Sequence, residues 1–543
     1  MSVVLLPAAL VISGCHAQTQ EQDPLETRPN IVLIMADDMG YSDIGSYGGE
    51  IDTPNVDRLA AEGIRFSQFY NAARCSPTRA SLLTGLYPHQ AGLGHMPDGY
   101  ATVVRETFDS ASYMDHLASD KAAIAERLRE AGYATFMAGK WHIGYDRSEW
   151  PVARGFDRSF ALIGGAMNYY GHGVQLSGKT QAPPMAVDNQ AYSPPREGFF
   201  STDAFSDRAA GFIRDHEGDK PFFLYLAYNA PHWPLQAPPA DVEKYRGRYL
   251  KGWDEIRRAR YRRLVDLGLI ARTWDLAPRP DQVPSWASAP EQEKQQWDLE
   301  MSIYAAMIER MDAGIGRVLE ALQERGLEKD TLVIFLSDNG GAAEDPNRSR
   351  KGAPLGGRDS YEGYDIRGAH VSSAPFRLTK KYVHEGGIAT PLIVRWPARI
   401  QQGGEIRHEP AHIIDVVPTV LDAAAVSRQD RVQNRAASPL EGASLVPVFA
   451  SEPLSPRTIY WEHEGNRAVR QGRWKLVSEH PGAWELYDMQ KDRTELHDLS
   501  REEPEKAREL AQLYERWAAR VGARPWELVD QAREQARSTV GAR

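Results

Sequence analysis

Four short apolar runs in this chain end in residues able to do chemistry: IVLIMADD (31–38), TFMAGKWH (135–142), FLYLAYNAPH (223–232) and VIFLSDN (333–339). An apolar run without alternation is what a strand needs when helices cover both of its faces. Amphipathic stretches lie between the runs: NVDRLAAEGIRF, DKAAIAERLREAG, FSDRAAGFIRDH and the long MSIYAAMIERMDAGIGRVLEALQERG, which Gly326 is expected to cap. Alternation of this kind predicts an α/β fold with a large, mostly parallel or mixed central sheet covered by helices on both faces. Ligands of such sheets bind outside the carboxyl ends of the strands. The polar exits of the four runs are therefore expected to converge there.

The rest of the chain fits around this core. Residues 237–300, rich in Arg, Glu and Pro, read as a helical insertion, and 341–378 as a long loop over the site. A Ser/Pro-rich linker near 434–457 precedes RAVRQGRWKLVSE and AWELYDMQKDRTELHDL. These predict a small antiparallel sheet, followed by a final helix, EEPEKARELAQLYERWAARVG. The expected division is a leader and linker over 1–28, a large domain over 29–433 and a small C-terminal subdomain over 455–540.

Lys and Arg number 64 against 74 Asp and Glu, a net charge of -10, so no nucleic-acid surface is expected. The N-terminal MSVVLLPAALVISGCHAQ has an apolar run too short to span a bilayer and reads as a targeting leader. ISGC resembles a lipoprotein processing box, with Cys15 as the lipid anchor and the periplasm or cell envelope as the compartment. An ordinary secretory signal is the alternative. Only two cysteines are present, so with Cys15 lipidated or removed, Cys75 has no intrachain disulfide partner.

Asp37, Asp38, Asp338 and Asn339 lie at two strand exits. Together they would repel one another unless a cation sat among them, and as hard oxygen donors they suit Ca²⁺ or Mg²⁺. The bland alternative is two solvated strand-to-turn signals. Cys75 and Arg79 stand four apart in CSPTR, on one face of a helix entered through Pro77. Unpaired N–H groups of that first turn favour an anion, so a sulfate or phosphate head would suit the place. Lys140 and His142 would point to one side of an extended chain. His232 and Lys380 add a proton carrier and a cation. Trp141, Trp233 and Tyr170 are candidate walls for an organic group.

Taken together, RPNIVLIMADDMGYSDIGSYGGEI, CSPTRASLLTG, AGYATFMAGKWHIG, APHWPLQAP, LSDNG, KKYVHEGG, GRWKL and WELYD resemble the sulfatase family of the alkaline phosphatase superfamily, and the bacterial arylsulfatases of the Pseudomonas type within it. The motif C-x-P-x-R-x-x-x-x-T-G is the family signature. The resemblance implies that a formylglycine-generating or anaerobic sulfatase-maturating enzyme converts Cys75 to 3-oxoalanine (formylglycine), whose hydrate is the nucleophile. It implies one Ca²⁺ held by Asp37, Asp38, Asp338 and Asn339, with the converted Cys75 as a further ligand. Arg79 would stabilise the hydrate. Asp338 would serve as base, His232 and Lys380 would act on the leaving oxygen, and Lys140 and His142 would complete the catalytic set. Spacing to Glu385-Gly386-Gly387 favours Lys380 over Lys381. The sequence departs from the family at Ala389, where arginine is usual. The implied activity is hydrolysis of small sulfate monoesters; a phosphate or phosphonate monoester hydrolase and a non-catalytic binding protein are the competing readings.

Overall fold

The computed structural model describes residues 28–541 except 98–100, 109, 179, 182, 429–430 and 434. The leader and Cys15 lie outside the described residues. Among those described, no helix is long and apolar enough to cross a membrane.

Ten strands form the central sheet. From edge to edge they are Glu405–Arg407, Ile64–Phe66, Leu392–Arg395, Thr331–Ser337, Asn30–Asp37, Phe222–Pro231, Ala134–Lys140, Arg158–Leu162, Met185–Val187 and Gln190–Tyr192. The five from Thr331–Ser337 to Arg158–Leu162 run parallel. Antiparallel pairs flank them on both sides. The sheet is thus mixed, with a parallel centre, as the apolar runs predict.

Alternate residues of the central strand bury opposite faces. Val32, Ile34 and Ala36 join one core with Leu224, Leu226 and Phe335. Ile31, Leu33 and Met35 join the other with Phe223, Tyr225 and Leu336. The helices Ser201–Arg214 and Glu291–Glu324 pack together on the first face. The second of these is 34 residues long, beginning well before the MSIYAAMIER pattern. Burial of its Met301, Ile308, Ile315 and Leu322, spaced seven apart, keeps one stripe against the sheet. Gly326 does stand in the left-handed conformation just past its end.

The stretch 237–300 is only partly helical: Pro239–Glu243 and Trp253–Asp266 are helices, and much of 267–290 is irregular. Trp253, Ile256 and Leu264 of this region join the main core, and buried Arg260 reaches inward to Asp43 at 2.6 Å and Glu50 at 2.7 Å, so apolar burial and polar pairing together anchor it. At the C-terminal end, Thr458–His463, Asn466–Gln471, Trp474–Ser478 and Glu485–Asp488 form the expected antiparallel sheet, with the helix Pro504–Val521 packed on it. That helix is not the last. Trp526–Gly541 follows it and contacts the helix Ala101–Phe108.

Candidate active site

The register of the parallel strands sets their ends side by side: Asp37 lies opposite Pro231, and Ala36 opposite Ser337. Asp38, Lys140, His232 and Asp338 thereby come to one edge, where they are all buried. Asp38 takes a left-handed turn (φ 68°), which swings the chain away from the sheet as its carboxylate enters the site.

Two glycines allow close approach of backbones. Gly139 has φ 116°, and a Cβ there would meet the Ala227 carbonyl oxygen at 1.8 Å, so the strand can bring Lys140 to the edge only with glycine before it. A Cβ on Gly340 would lie 1.9 Å from the Gly386 oxygen. There the SDNG and EGG segments interlock, with Gly340 N–H donating to Gly387 O at 3.0 Å.

Cys75 opens the helix Cys75–Thr84 and is a free, buried cysteine. Arg79, one turn on, donates to Asp338 Oδ2 (3.1 Å) and to the Lys140 carbonyl (2.9 Å), and lies 3.6 Å from Asp37 Oδ1. Lys140 Nζ is 2.6 Å from Asp37 Oδ2, and Lys380 Nζ is 2.8 Å from Asp38 Oδ1. Lys381 points elsewhere, with its side chain 47% exposed. His142 Nδ1 is 3.5 Å from Cys75 Sγ, and His232 Nε2 is 3.5 Å from Asp38 Oδ2. Asn339 Nδ2 donates to Asp38 Oδ1 at 2.7 Å. The residues named as catalytic or metal-holding from the sequence therefore meet in one buried cluster. The route of His142 differs from the expected extended chain. The strand stops at Lys140 and His142 has φ 56°, so a turn carries the imidazole to Cys75.

Burial dominates the electrostatics. It pushes Asp37 well above the carboxylate range. Asp338 and Asp38 add to that rise, and Lys140 and Arg79 oppose it. Burial also raises the Cys75 thiol, against the pull of Lys140 and Lys380. It lowers His142 well below its usual value, and the cations Lys140 and Arg79 lower it further. Both shifts favour the neutral thiol and imidazole over the thiolate–imidazolium pair that a cysteine nucleophile requires. His232 is lowered by burial, Lys140 and Lys380.

The carboxylates fit a hard divalent cation. Asp37 Oδ1 and Asn339 Oδ1 are buried oxygens with no hydrogen-bond partner, and ligand atoms of Asp37, Asp38 and His232 lie within 4.8 Å of one another. Buried oxygens seldom go unpaired without a reason, and a cation supplies one here.

The sequence reading left out several neighbours. Glu344 accepts from Arg74 Nη2 (2.8 Å) and Trp233 Nε1 (3.1 Å) and lies 3.5 Å from Lys380. Met96 Sδ is 3.9 Å from Cys75 Sγ. Glu464, from the C-terminal sheet, is 3.5 Å from Arg74. Neither Glu344, in an irregular Gly/Ala loop, nor Glu464, in a hairpin turn, stands in a pattern that sequence periodicity could single out. Of the candidate walls, Trp233 lies against His232 with ring centres 4.2 Å apart and the planes tilted by 47°. Trp141 is wholly core, and the Tyr170 hydroxyl is used on backbone carbonyls.

Comparison with known proteins agrees with this geometry. The sulfatase family model matches residues 29–426, and that of the N-sulphoglucosamine sulphohydrolase C-terminal region matches 377–520. An uncharacterised sulfatase of Schizosaccharomyces pombe is 36% identical over 473 residues, covering 83% of this chain and 85% of that one. An arylsulfatase of Klebsiella aerogenes is 34% identical over 464 residues, 82% of this chain and 96% of its own. Among solved structures, Ps i-CgsB in complex with k-i-k-neocarrahexaose is 26% identical, with a TM-score of 0.65 over 91% of this chain and 93% of that one. The chain belongs to the sulfatase family.

Proposed function

We propose that the protein is an arylsulfatase, hydrolysing sulfate monoesters to a phenol or alcohol and inorganic sulfate. The observation that carries the reading is the buried meeting of Cys75, at a helix start, with three carboxylates and the cations Arg79, Lys140 and Lys380. The 34% identity to an arylsulfatase supports the aryl preference.

One Ca²⁺ would be held by Asp37, Asp38, Asp338 and Asn339 with the group at position 75, and would withdraw charge from the sulfuryl oxygens. Conversion of Cys75 to 3-oxoalanine by a maturating enzyme would supply a hydrated aldehyde as nucleophile, a role the neutral thiol cannot fill. The chain's own residues do the rest. Arg79 orients Asp338, which accepts the proton of the attacking hydroxyl. Lys140 and Lys380 hold negative charge on the sulfuryl group, and fixed charges in a dry pocket supply the greatest share of such rate enhancement. Burial, aided by neighbouring cations, favours a neutral His142, placed to take a proton from the hydroxyl at position 75. His232, with Lys380, would stabilise the departing oxygen by hydrogen bonding and charge. The leader supports an envelope location, with Cys15 as a lipid anchor.

The test is twofold. Mass spectrometry of the peptide containing Cys75 should find the aldehyde, and the protein carrying it should release p-nitrophenol from p-nitrophenyl sulfate faster than from p-nitrophenyl phosphate. Faster release from the phosphate would move the protein to phosphate-ester hydrolysis. An inert, fully converted protein would sink the reading.

A further inference from the structure

On the partly exposed side of the centre, the residues beside Cys75 and Lys380 have their own charge balance. Arg74 immediately precedes Cys75, and its guanidinium is closed between two carboxylates. Nη2 is 2.8 Å from Glu344 Oε1, and Nη1 is 3.5 Å from Glu464 Oε2. Only 19% of the Arg74 side chain is exposed. Glu464 comes from the turn between the strands Thr458–His463 and Asn466–Gln471, with φ 49°, and also lies 3.9 Å from Lys381 Nζ. Glu344 is tied to the centre through Lys380 and Trp233. Lys380 holds it well below the usual carboxylate range, though burial opposes this, so it stands at the rim as a fixed negative charge.

Counted by sign, Arg74 and Lys381 are matched by Glu344 and Glu464. The apolar surface beside them comes from half-buried Trp233, bonded to Glu344, and half-buried Met96, 3.9 Å from Cys75 Sγ. A sulfate ester placed on the inner cations would set its organic part against this rim. A second anion on that part would meet the Glu344 and Glu464 carboxylates, with Arg74 held between them and Lys381 only 3.9 Å from Glu464. Like charges brought together across a desolvated contact discriminate strongly against a ligand.

We infer that Glu344 and Glu464, by closing Arg74 and Lys381 into ion pairs on this side of the centre, select sulfate monoesters whose organic part carries no second anion and turn away polysulfated chains. The inference rests on the sulfuryl-hydrolysis reading and narrows its substrate class.

Two matched probes test it: N-acetylglucosamine 6-sulfate and N-sulfoglucosamine 6-sulfate share a ring and a reacting ester and differ in the second anion. In calcium-containing buffer, kcat/KM is measured by sulfate release from the converted protein. Kd is measured by calorimetry on the unconverted Cys75 protein, where turnover does not interfere. The singly charged sugar should be favoured by about tenfold or more in both. Glu464→Gln and Glu344→Gln should each narrow that ratio by about fivefold, by freeing Arg74 for the second anion. Adding Arg74→Gln to Glu464→Gln should restore it. Should Glu344→Gln fail to fold, Glu464→Gln at its hairpin turn carries the test. A preference for the disulfate, an unchanged ratio in folded variants, or binding of neither sugar overturns the inference. If the converted protein turns over neither these sugars nor p-nitrophenyl sulfate, the sulfatase reading fails, and the Kd ratio still decides the selectivity.

Discussion

One loop serves two buried charge clusters, and they behave in opposite ways. Lys380 enters the active site. Glu385, in the same KKYVHEGG segment, enters the junction with the C-terminal sheet. There Glu385 Oε1 is 2.9 Å from Lys475 and Oε2 is 2.7 Å from Arg493, while Lys475 also meets Glu495 at 2.7 Å. All four side chains are wholly buried, as are Asp37 and Lys140 in the site. Burial raises Glu385, but Lys475, Arg493 and Arg470 outweigh it and bring it down to about 2. Asp37 moves the other way, well above the usual range. The junction matches each Glu385 oxygen with a cation. In the site, Asp37 has an oxygen left over and two carboxylates beside it. Equal burial of similar residues thus yields a structural lock where charges close and a reactive centre where they do not.

The sharpest test of that division is Cys75→Ala. It should lower sulfate-ester turnover by at least roughly 10³-fold, as loss of a covalent nucleophile does, while the melting temperature stays close to that of the parent. A comparable loss of stability would mean that the site also holds the fold together. Lys475→Met strikes the other cluster. Removing one partner of a buried pair costs about 3–5 kcal/mol, to be read as a lower urea midpoint. An unchanged midpoint would show that the junction is dispensable.

Acid should distinguish the clusters next. Glu385 has a folded pKa of about 2, below the 4.5 of its unfolded reference, so the folded state binds fewer protons between them. Its contribution is present above pH 4.5 and is lost as pH falls toward 2, by at most about 3 kcal/mol. Glu385→Gln should flatten stability over that window, and a parallel acid profile in the variant would contradict the assignment. The smallest effect concerns the metal. Ca²⁺ at a hundredfold excess over its Kd should stabilise the chelator-treated protein by about 2.7 kcal/mol. Asp338→Asn should abolish most of that increment, whereas Lys475→Met should keep it. Equal calcium responses in all three would place the ion elsewhere.

The same division explains what the sequence disclosed. Asp37, Asp38, Asp338 and His232 were legible because each stands at the end of an apolar run, and parallel strands bring such ends together. The turn at His142 was hidden because it depends on backbone conformation after Gly139, which residue type alone did not fix. Arg74 was in plain view beside the signature cysteine. Its partners were not, since Glu344 and Glu464 lie 270 and 390 positions away along the chain. The Lys475–Glu385–Arg493 lock had the same difficulty: charged residues in a small sheet read as surface until a partner domain covers them. Trp526–Gly541 was missed because Pro525 follows a glycine-ended helix, a pattern that reads equally as a stop and as a fresh start.

The burial of Cys75 has a consequence in time. Its side chain is nearly inaccessible, 1% exposed, in the finished protein. With so little of it offered at the surface, an enzyme that rewrites this residue would have to reach it before the chain closes. The central strand Asn30–Asp37 waits for Phe222–Pro231 and then Thr331–Ser337 to be made before both its edges are paired. At ordinary rates of synthesis, the interval between the appearance of Cys75 and of that last strand is roughly 10–50 s. Strand order in the sheet, by delaying closure, holds open the interval in which the chain can be rewritten.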